Sequence, residues 1–419
     1  MTQTTSAHDI TNINTSKMVY FDNAATSWPK APGVAEGITR FLANDAANPG
    51  RSAHTMAVAT HTMIKMLRER LAAMINAEGA DRVVLTPGCT DAINLAFHSF
   101  FGAADSEQWP CRAWLNGARP KVVTTMLEHK AVRRPLADLV NQGVIDVDVV
   151  PCDQVTGVLN ADAILARVDE RTAIVAMTHV SNVVGTIQPV AAVGAGLRAS
   201  NSHALLLVDA AQSMGAVPID VQAFGADFLA FPGHKSLLGP TGIGGLYISP
   251  RAFTDDDGPD CMITLCQGGT GGGVDTMDMP RVLPRRFEAG TPNTVGCAGL
   301  LGALETAPPD ALAHERRHAQ RLMDWAASRD DVRVIGVQDV KQRTGVTLLV
   351  LDGHPSDDVA TQLNERFNIA CRAGEHCAPD AHRAVGTSPD GGVRLAPGPY
   401  TTDDEIEQAI AALEAILAG

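Results

Sequence analysis

Short apolar runs alternate along the chain with stretches whose apolar positions recur every three or four residues. The runs have the length of buried strands and cover residues 83–85, 121–124, 173–177, 205–208, 228–231 and 246–248. The helix-like stretches between them include residues 55–75 and 91–99. Strands that alternate with helices predict an α/β fold, in which helices cover both faces of a mainly parallel sheet.

The pattern changes near residue 291. Helix-like stretches at 298–305 and 312–328 precede short apolar runs at 332–337 and 346–351, and further helices are predicted at 357–367 and 403–417. This order is typical of a smaller α+β domain. We therefore predict a large domain over residues 31–290 and a small domain formed by 19–30 and 291–419. Residues 1–18 are polar and are predicted to be a flexible leader. The Gly- or Asp-rich segments 253–260 and 268–278 have the composition of poorly ordered loops.

Composition narrows the classes of function. The 419 residues carry a formal net charge of -14 and no Lys/Arg run, which argues against binding to nucleic acid or to an anionic membrane surface. No apolar run approaches the roughly 20 residues needed to cross a bilayer. The eight cysteines include no C-x-x-C pair, and the N-terminus lacks the apolar core of a signal peptide. We expect reduced thiols in a cytoplasmic protein.

The strongest chemical signal is a lysine within a glycine-rich turn, Lys235 in the segment 230–245 (AFPGHKSLLGPTGIGG). It follows a predicted buried strand, and a desolvated lysine has the lowered pKa that suits Schiff-base chemistry. For an isolated lysine, a solvated loop position would be the better interpretation.

Three further segments favour the Schiff-base interpretation of Lys235 over that of a solvated loop residue. Asp209 ends the strand of segment 205–213 (LLLVDAAQS), where α/β proteins bind ligands, although it could also be a helix N-cap. An acidic group there could pair with the ring nitrogen of pyridoxal phosphate, and Gln212 could reach the ring's phenolic oxygen. Segment 86–94 (TPGCTDAIN) resembles a phosphate-binding helix start, or an ordinary capping box. His129 could stack on a planar cofactor, or could be structural.

At these residues the sequence resembles the class V, fold-type I enzymes that use pyridoxal 5'-phosphate (PLP), and specifically the cysteine desulfurases. Blocks at 20–29, 179–187, 209–212, 233–235 and 287–293 follow in the order of that family. The resemblance spans nearly the whole chain. It implies the PLP-dependent transferase fold, with a large, mainly parallel seven-stranded sheet and a smaller α+β domain at the C-terminus.

The resemblance also implies a role for each matching residue. Lys235 would hold the cofactor covalently, with Asp209 on the pyridine nitrogen, Gln212 on the phenolic oxygen and His129 stacked on the ring. Asn182 would lie near the ring and the substrate carboxylate. Other residues would hold the phosphate: Thr90, the Cys89 amide, His234 and, from the partner subunit of a homodimer, Thr291.

Segment 371–382 (CRAGEHCAPDAH) resembles the catalytic loop of the group II, SufS-like desulfurases, and Cys377 falls on the catalytic cysteine. Arg372 and His376 are available to favour its thiolate. Arg394, between Val393 and Leu395, matches the arginine that binds the substrate carboxylate, in which Arg372 is also expected to take part. A buried thiol without a chemical role is expected at Cys371 rather than at Cys377. No metal site is predicted, because residues 376, 377 and 382 lack a four-ligand spacing.

The resemblance implies that L-cysteine is converted to L-alanine while a persulfide forms on Cys377, which group II enzymes typically pass to a small acceptor protein. Iron-sulfur cluster assembly is one possible destination of that sulfur. Alternatives are a selenocysteine lyase, another class V enzyme such as an aminotransferase or epimerase in which Cys377 is dispensable, and a non-catalytic scaffold.

Two positions depart from the family pattern. Pro232 stands where a hydroxyl residue usually contacts phosphate, so the grip on phosphate is expected to be looser or to come from elsewhere. Glu375, two residues before Cys377, would oppose thiolate formation if the two side chains face each other.

Overall fold

The computed structural model describes residues 18–50, 54–102, 118–200, 202–253, 262–271 and 277–419. The predicted leader and much of the two predicted loops lie outside the described residues, as do Cys111 and Cys261. Within the described ranges, no helix is both long and apolar enough to span a membrane.

Twelve strands and twelve helices are labelled here in chain order. The strands are β1 (Val19–Tyr20), β2 (Val83–Thr86), β3 (Lys121–Thr125), β4 (Asp146–Val150), β5 (Thr172–Thr178), β6 (Leu205–Asp209), β7 (Phe228–Pro232), β8 (Gly244–Ile248), β9 (Val332–Ile335), β10 (Thr347–Leu351), β11 (Ile369–Ala370) and β12 (Val393–Leu395). The helices are α1 (Gly33–Asn44), α2 (Thr55–Met74), α3 (Cys89–Phe101), α4 (Lys130–Asn141), α5 (Ala161–Leu165), α6 (Val190–Ala199), α7 (Val221–Phe224), α8 (Thr294–Thr306), α9 (Ala311–Ala327), α10 (Ser356–Phe367), α11 (Pro379–Ala384) and α12 (Asp403–Leu417).

The main sheet has seven strands in the order β2-β8-β7-β6-β5-β3-β4, and only β8 runs antiparallel to the others. Successive residues of β6 point to opposite faces, so Leu205 and Leu207 enter one apolar core while Leu206 and Val208 enter the other. α2, α6 and α8 cover one face, and α3 and α4 cover the other. The predicted mainly parallel α/β sheet, with helices on both faces, is confirmed.

A three-stranded antiparallel sheet, in the order β12-β10-β9, builds a third core with α9, α10 and α12. β1 pairs with β11, so the start of the described chain joins its C-terminal part. α8 packs against α1 at Gly33 and Gly302, where a Cβ on either glycine would collide with the backbone of the other helix. The exact domain boundaries stay a prediction.

Candidate active site

Two polar side chains, the buried Asp209 and the half-buried Lys235, stand at or just after the carboxyl ends of the neighbouring parallel strands β6 and β7. Lys235 follows β7 within the turn after Pro232, and burial lowers the pKa of its amine, partly offset by the Asp209 charge. Asp209, the last residue of β6, is 3% exposed. An amine with a lowered pKa loses its proton more easily, and the neutral form can act as a nucleophile or as a base.

The Asp209 carboxylate uses one oxygen for bonds within the protein. Its Oδ1 accepts the Ala211 amide at 2.8 Å and the Cys89 thiol at 3.4 Å. Oδ2 has no hydrogen-bond donor among the described residues. The carboxylate is therefore fixed in position while its second oxygen remains available to a ligand. Burial and this carboxylate together raise the pKa of the Cys89 thiol well above its usual value.

The N-terminus of α3 lies beside the same strands. Its N-cap, Gly88, has no side chain to cap the helix, so the first amide N–H groups, including those of Cys89 and Thr90, lack intrahelical partners. A Cβ on Gly244, which pairs with Pro232, would lie 2.9 Å from the Gly88 Cα, so only glycine lets β8 approach this turn. Free N–H groups at a helix start favour an anion.

His129 precedes α4 and is half-buried. Its Nδ1 accepts the Ala131 amide at 3.0 Å, so the proton of the neutral ring is on Nε2. Burial lowers the pKa of His129 although Asp209 opposes this. The preceding residue, Glu128, is fully buried; its Oε1 accepts from the Thr125 hydroxyl and the Thr178 amide. Burial raises the pKa of Glu128 to about 8.

The loop that carries Cys377 is docked on this histidine. The Cys377 carbonyl accepts the Lys130 amide at 2.9 Å, and the Asn182 side-chain amide donates to the His376 carbonyl at 2.8 Å. Cys377 is exposed. The chain thus brings an accessible thiol from its C-terminal part to the main sheet, beside His129 and Asn182.

Both residues at the tip of this loop have left-handed backbones, with φ of +49° at His376 and +58° at Cys377. A hydrogen-bonded series of buried side chains holds the tip: His376 Nδ1 lies 3.0 Å from His382 Nε2, and His382 Nδ1 lies 2.7 Å from the Thr387 hydroxyl. His376 therefore contacts His382 and not the Cys377 thiol through this nitrogen. Glu375 accepts from the Ser388 hydroxyl at 2.9 Å, which directs its carboxylate towards that neighbouring loop.

Arg394 in β12 is 2% exposed and forms an ion pair with Asp22 at 2.7 Å. It also donates to the Asn182 carbonyl at 2.9 Å, while its Nε has no partner among the described residues. Burial lowers the pKa of Arg394, whereas the Asp22 carboxylate favours its cation. Arg372 forms a β-bridge with Arg394 and is exposed; its charge lowers the pKa of both Lys235 and His129.

The remaining predicted residues differ in what surrounds them. His234 Nδ1 lies 3.1 Å from the Thr26 hydroxyl, and Gln212 donates one amide proton to the Ala24 carbonyl at 2.8 Å. Thr90 is exposed at the start of α3. Thr291 is exposed in the turn before α8, and no hydrogen bond joins it to another predicted site residue in the described part of the chain.

A sequence model of the aminotransferase class-V family matches residues 19–409. The chain belongs to that family. It is 34% identical over 407 residues to a "Probable cysteine desulfurase" of Methanothermobacter thermautotrophicus, covering 95% of this chain and 94% of that protein. It is 32% identical over 408 residues to a "Cysteine desulfurase" of Pectobacterium atrosepticum, covering 96% and 94%.

Solved structures agree with this class-V assignment. A cysteine desulfurase from Thermococcus onnurineus, solved in an apo state, superposes with a TM-score of 0.84 at 27% identity over all of both chains. The cysteine desulfurase CsdA of Escherichia coli, in an S-sulfonic acid form, gives a TM-score of 0.80 at 28% identity over 96% of this chain and 95% of that one. The predicted fold-type I architecture is confirmed.

The residues present fit PLP, the cofactor of the class-V family. The free Oδ2 of Asp209 can accept from a pyridinium nitrogen, the readily neutral amine of Lys235 can bond to an aldehyde, and the uncapped start of α3 can receive a phosphate. Asp209 and Lys235 follow the adjoining strands β6 and β7, and α3 starts after β2, which is separated from β7 by β8 alone.

Several residues of this class-V site were not predicted from the sequence. Asp22 pairs with Arg394, Lys30 lies against His234, and Glu128 is buried below His129. Glu128 and Asp22 both stand in segments already noted, directly beside a predicted site residue or in a family block. Their position in these segments could have identified them as candidates, but the residues that they contact are distant in the sequence.

Proposed function

We propose that this class-V protein is a cysteine desulfurase that uses PLP to release L-alanine from L-cysteine and retains the sulfur as a persulfide on Cys377. The observation that carries the proposal is the hydrogen bond between the Lys130 amide and the Cys377 carbonyl. It anchors the backbone of Cys377, an exposed cysteine, at the residue that follows the half-buried His129. The curated relatives named cysteine desulfurase support the same reaction.

Bound PLP would act as an electron sink for a carbanion at the substrate Cα. Asp209 would hold the ring nitrogen through the carboxylate oxygen that has no donor among the described residues. The Lys235 amine, whose pKa is lowered by burial, takes the proton from the substrate Cα. Arg394, with Asn182 and Arg372 beside it, orients the substrate carboxylate through paired N–H donors.

Sulfur transfer then uses the Cys377 thiolate as the nucleophile. A bond forms between Cys377 Sγ and the substrate sulfur while the substrate Cβ–S bond breaks. The electron pair of that bond stays with the carbon skeleton, which is protonated to L-alanine. His129, which carries the proton of its neutral ring on Nε2, directly precedes the Lys130 amide that binds the Cys377 carbonyl, and it can supply a proton at this stage.

We further propose that the chain belongs to the group II, SufS-like branch. The short segment 371–382 and its docked loop support this assignment. A homodimer, in which Thr291 reaches the partner's phosphate, is proposed from the resemblance of segment 287–293 to the family, and Thr291 is exposed, as such a contact requires. The persulfide would then pass to a small sulfur-acceptor protein.

The test replaces the two reacting groups separately. With L-cysteine, Cys377→Ser should keep bound PLP but lower alanine release by on the order of 100-fold or more, because the nucleophile is lost. Lys235→Ala should lose the covalently bound cofactor. Cys266→Ser removes another exposed thiol and serves as the matched control. Full alanine release by Cys377→Ser would contradict the proposed role of Cys377.

A further inference from the structure

Lys30 is a half-buried lysine that touches the segment before Lys235. Its ammonium lies 2.9 Å from the His234 carbonyl, 3.1 Å from the Thr26 hydroxyl and 3.0 Å from the Ser27 hydroxyl. Among the described residues, no carboxylate forms an ion pair with Lys30. Burial lowers the pKa of this amine to about 8, with no acidic group offsetting the effect. An uncompensated cation thus stands beside His234.

The hydrogen bonds around the His234 carbonyl determine where the histidine proton lies. Four donors lie within reach of this oxygen: the Ser27 amide, the Lys30 ammonium and the hydroxyls of Thr26 and Ser27. A carbonyl has two lone pairs, and the amide and the ammonium can only donate. They therefore occupy the oxygen, and the Thr26 hydroxyl proton is left for its other neighbour, His234 Nδ1, at 3.1 Å.

This assignment leaves the proton of the neutral His234 ring on Nε2. The ring is neutral because burial, together with the charges of Lys235 and Lys30, lowers the pKa of His234 to about 4. A neutral imidazole whose Nδ1 accepts has a single N–H, on Nε2, to offer to a ligand. The lysine and the threonine thus prepare His234 as a hydrogen-bond donor.

An anion is the ligand that this arrangement suits. Pro232 supplies neither a hydroxyl nor an N–H, so β7 contributes no donor at its last residue. Pro232 pairs with Gly244, and the backbone of Gly244 packs directly against Gly88 at the uncapped start of α3. The turn after Pro232 therefore lies near this helix start. Lys30 reaches this turn through the His234 carbonyl.

We propose that Lys30, with Thr26, completes the phosphate end of the cofactor site: Lys30 supplies a positive charge there, and Thr26 holds His234 with its proton on Nε2. Because the three N–H groups of Lys30 already bond Thr26, Ser27 and the His234 carbonyl, Lys30 contributes charge and not a direct hydrogen bond to the phosphate. The inference rests on the proposed function, because the phosphate belongs to the proposed cofactor.

The test compares two ligands that differ only in the phosphate, PLP and pyridoxal. Both are titrated into the full-length chain after its cofactor has been removed. Lys30→Met should weaken PLP binding by about 10- to 100-fold, the range expected for the loss of a nearby positive charge in a partly buried site, and should change pyridoxal binding by less than about twofold. Lys30→Arg should restore most of the PLP affinity, and Thr26→Val should weaken PLP selectively by a smaller factor.

Lys65→Met, which removes a charge from the exposed face of α2, is the control for net charge and should bind both ligands as the wild type does. Equal weakening of PLP and pyridoxal by Lys30→Met would mean that Lys30 only shapes the turn around Lys235, and would overturn the inference. Unchanged PLP binding would overturn it too. A wild-type chain that bound neither ligand would instead contradict the proposed function. If Lys30→Met does not fold, Lys30→Gln and Thr26→Val carry the same comparison.

Discussion

At the scale of single residues, burial shifts the pKa values of several ionisable groups of the site in the direction that favours their neutral forms. It lowers the pKa values of Lys235 and His129 and raises that of Glu128 to about 8. The common cause is loss of water around the charged form. Neutral donors and acceptors can exchange protons with a substrate without the free-energy cost of removing water from a charged group.

Glu128 offers a test of this burial that is independent of activity. The pKa of its carboxyl is raised from about 4.5 in the unfolded chain to about 8 in the fold, so the folded state retains a proton that the unfolded state loses between these values. Its contribution to stability is therefore full below pH 4.5 and declines as the pH rises towards 8. The free energy of unfolding falls by up to about 1.4 kcal/mol per pH unit where the folded state holds one proton more than the unfolded state.

Glu128→Gln removes the ionisation and keeps an oxygen for the Thr125 and Thr178 donors. We expect its free energy of unfolding, relative to the wild type, to increase between pH 5 and pH 8 in urea titrations. Glu69→Gln, at an exposed position of α2, is the control and should show no such trend. A stability difference for Glu128→Gln that stayed constant with pH would show that Glu128 is ionised in the fold.

The sequence was informative about residues whose neighbours are local and silent about those whose partners are distant. Asp209 and Lys235 could be located because each follows an apolar run that ends at a sheet edge. The contact of Lys30 with His234 joins positions 204 residues apart, and no periodicity reports such a pair. The departure at Pro232 was visible, but the nearby hydroxyl of Thr26 comes from the opening block of the chain and required the fold.

At the scale of elements, continuous apolar runs located the central strands, because strands buried on both faces have no polar alternation. β6 was predicted at 205–208 and extends over Leu205–Asp209. β4 was missed, since its sequence DVDVV is interrupted by Asp146 and Asp148. β4 is an edge strand of the sheet, and these aspartates form ion pairs with arginines outside the strand. The sequence of such a half-buried edge strand therefore lacks the continuous apolar run that marks a buried strand.

The loop before α11 is the element on which the proposed sulfur transfer depends. Two consecutive non-glycine residues in left-handed conformations cost roughly 1–2 kcal/mol each, and His376 and Cys377 are such a pair. The contacts of His376 with His382, and of His382 with Thr387, hold this tip. His382→Ala removes the central member without touching Cys377.

We expect His382→Ala to lower kcat by about 10- to 100-fold, because the thiol is no longer held in the reacting position. KM for L-cysteine should change little, since the Arg394 side is intact. The alkylation rate of Cys377 by iodoacetamide should change in parallel, which a purely chemical role for His382 would not predict. Arg383→Ala, on the exposed face of the same helix, provides the comparison. Unchanged alkylation and kcat would show that the histidine series does not position the loop.

At the scale of the whole molecule, the main sheet and the C-terminal sheet must keep a fixed geometry, because the site uses residues from both. Arg343 is fully buried between them. Its guanidinium donates to the carbonyls of Val184, in the turn after β5, and of Val337 and Val346, in the C-terminal part. Burial lowers its pKa to about 10, yet it remains charged at neutral pH.

Arg343→Met keeps most of the side-chain volume but leaves three buried carbonyls without this donor. Because a buried unsatisfied acceptor costs about 1–3 kcal/mol, we expect the free energy of unfolding to fall by on the order of 3 kcal/mol or more. Arg366→Met, at an exposed position of α10 whose guanidinium contacts Gln362, should change it by less than about 0.5 kcal/mol. Urea unfolding followed by circular dichroism measures both. Since Val184 lies two residues from Asn182, KM for L-cysteine should also rise in Arg343→Met. A variant as stable as the wild type would mean that the two sheets are held together without this arginine.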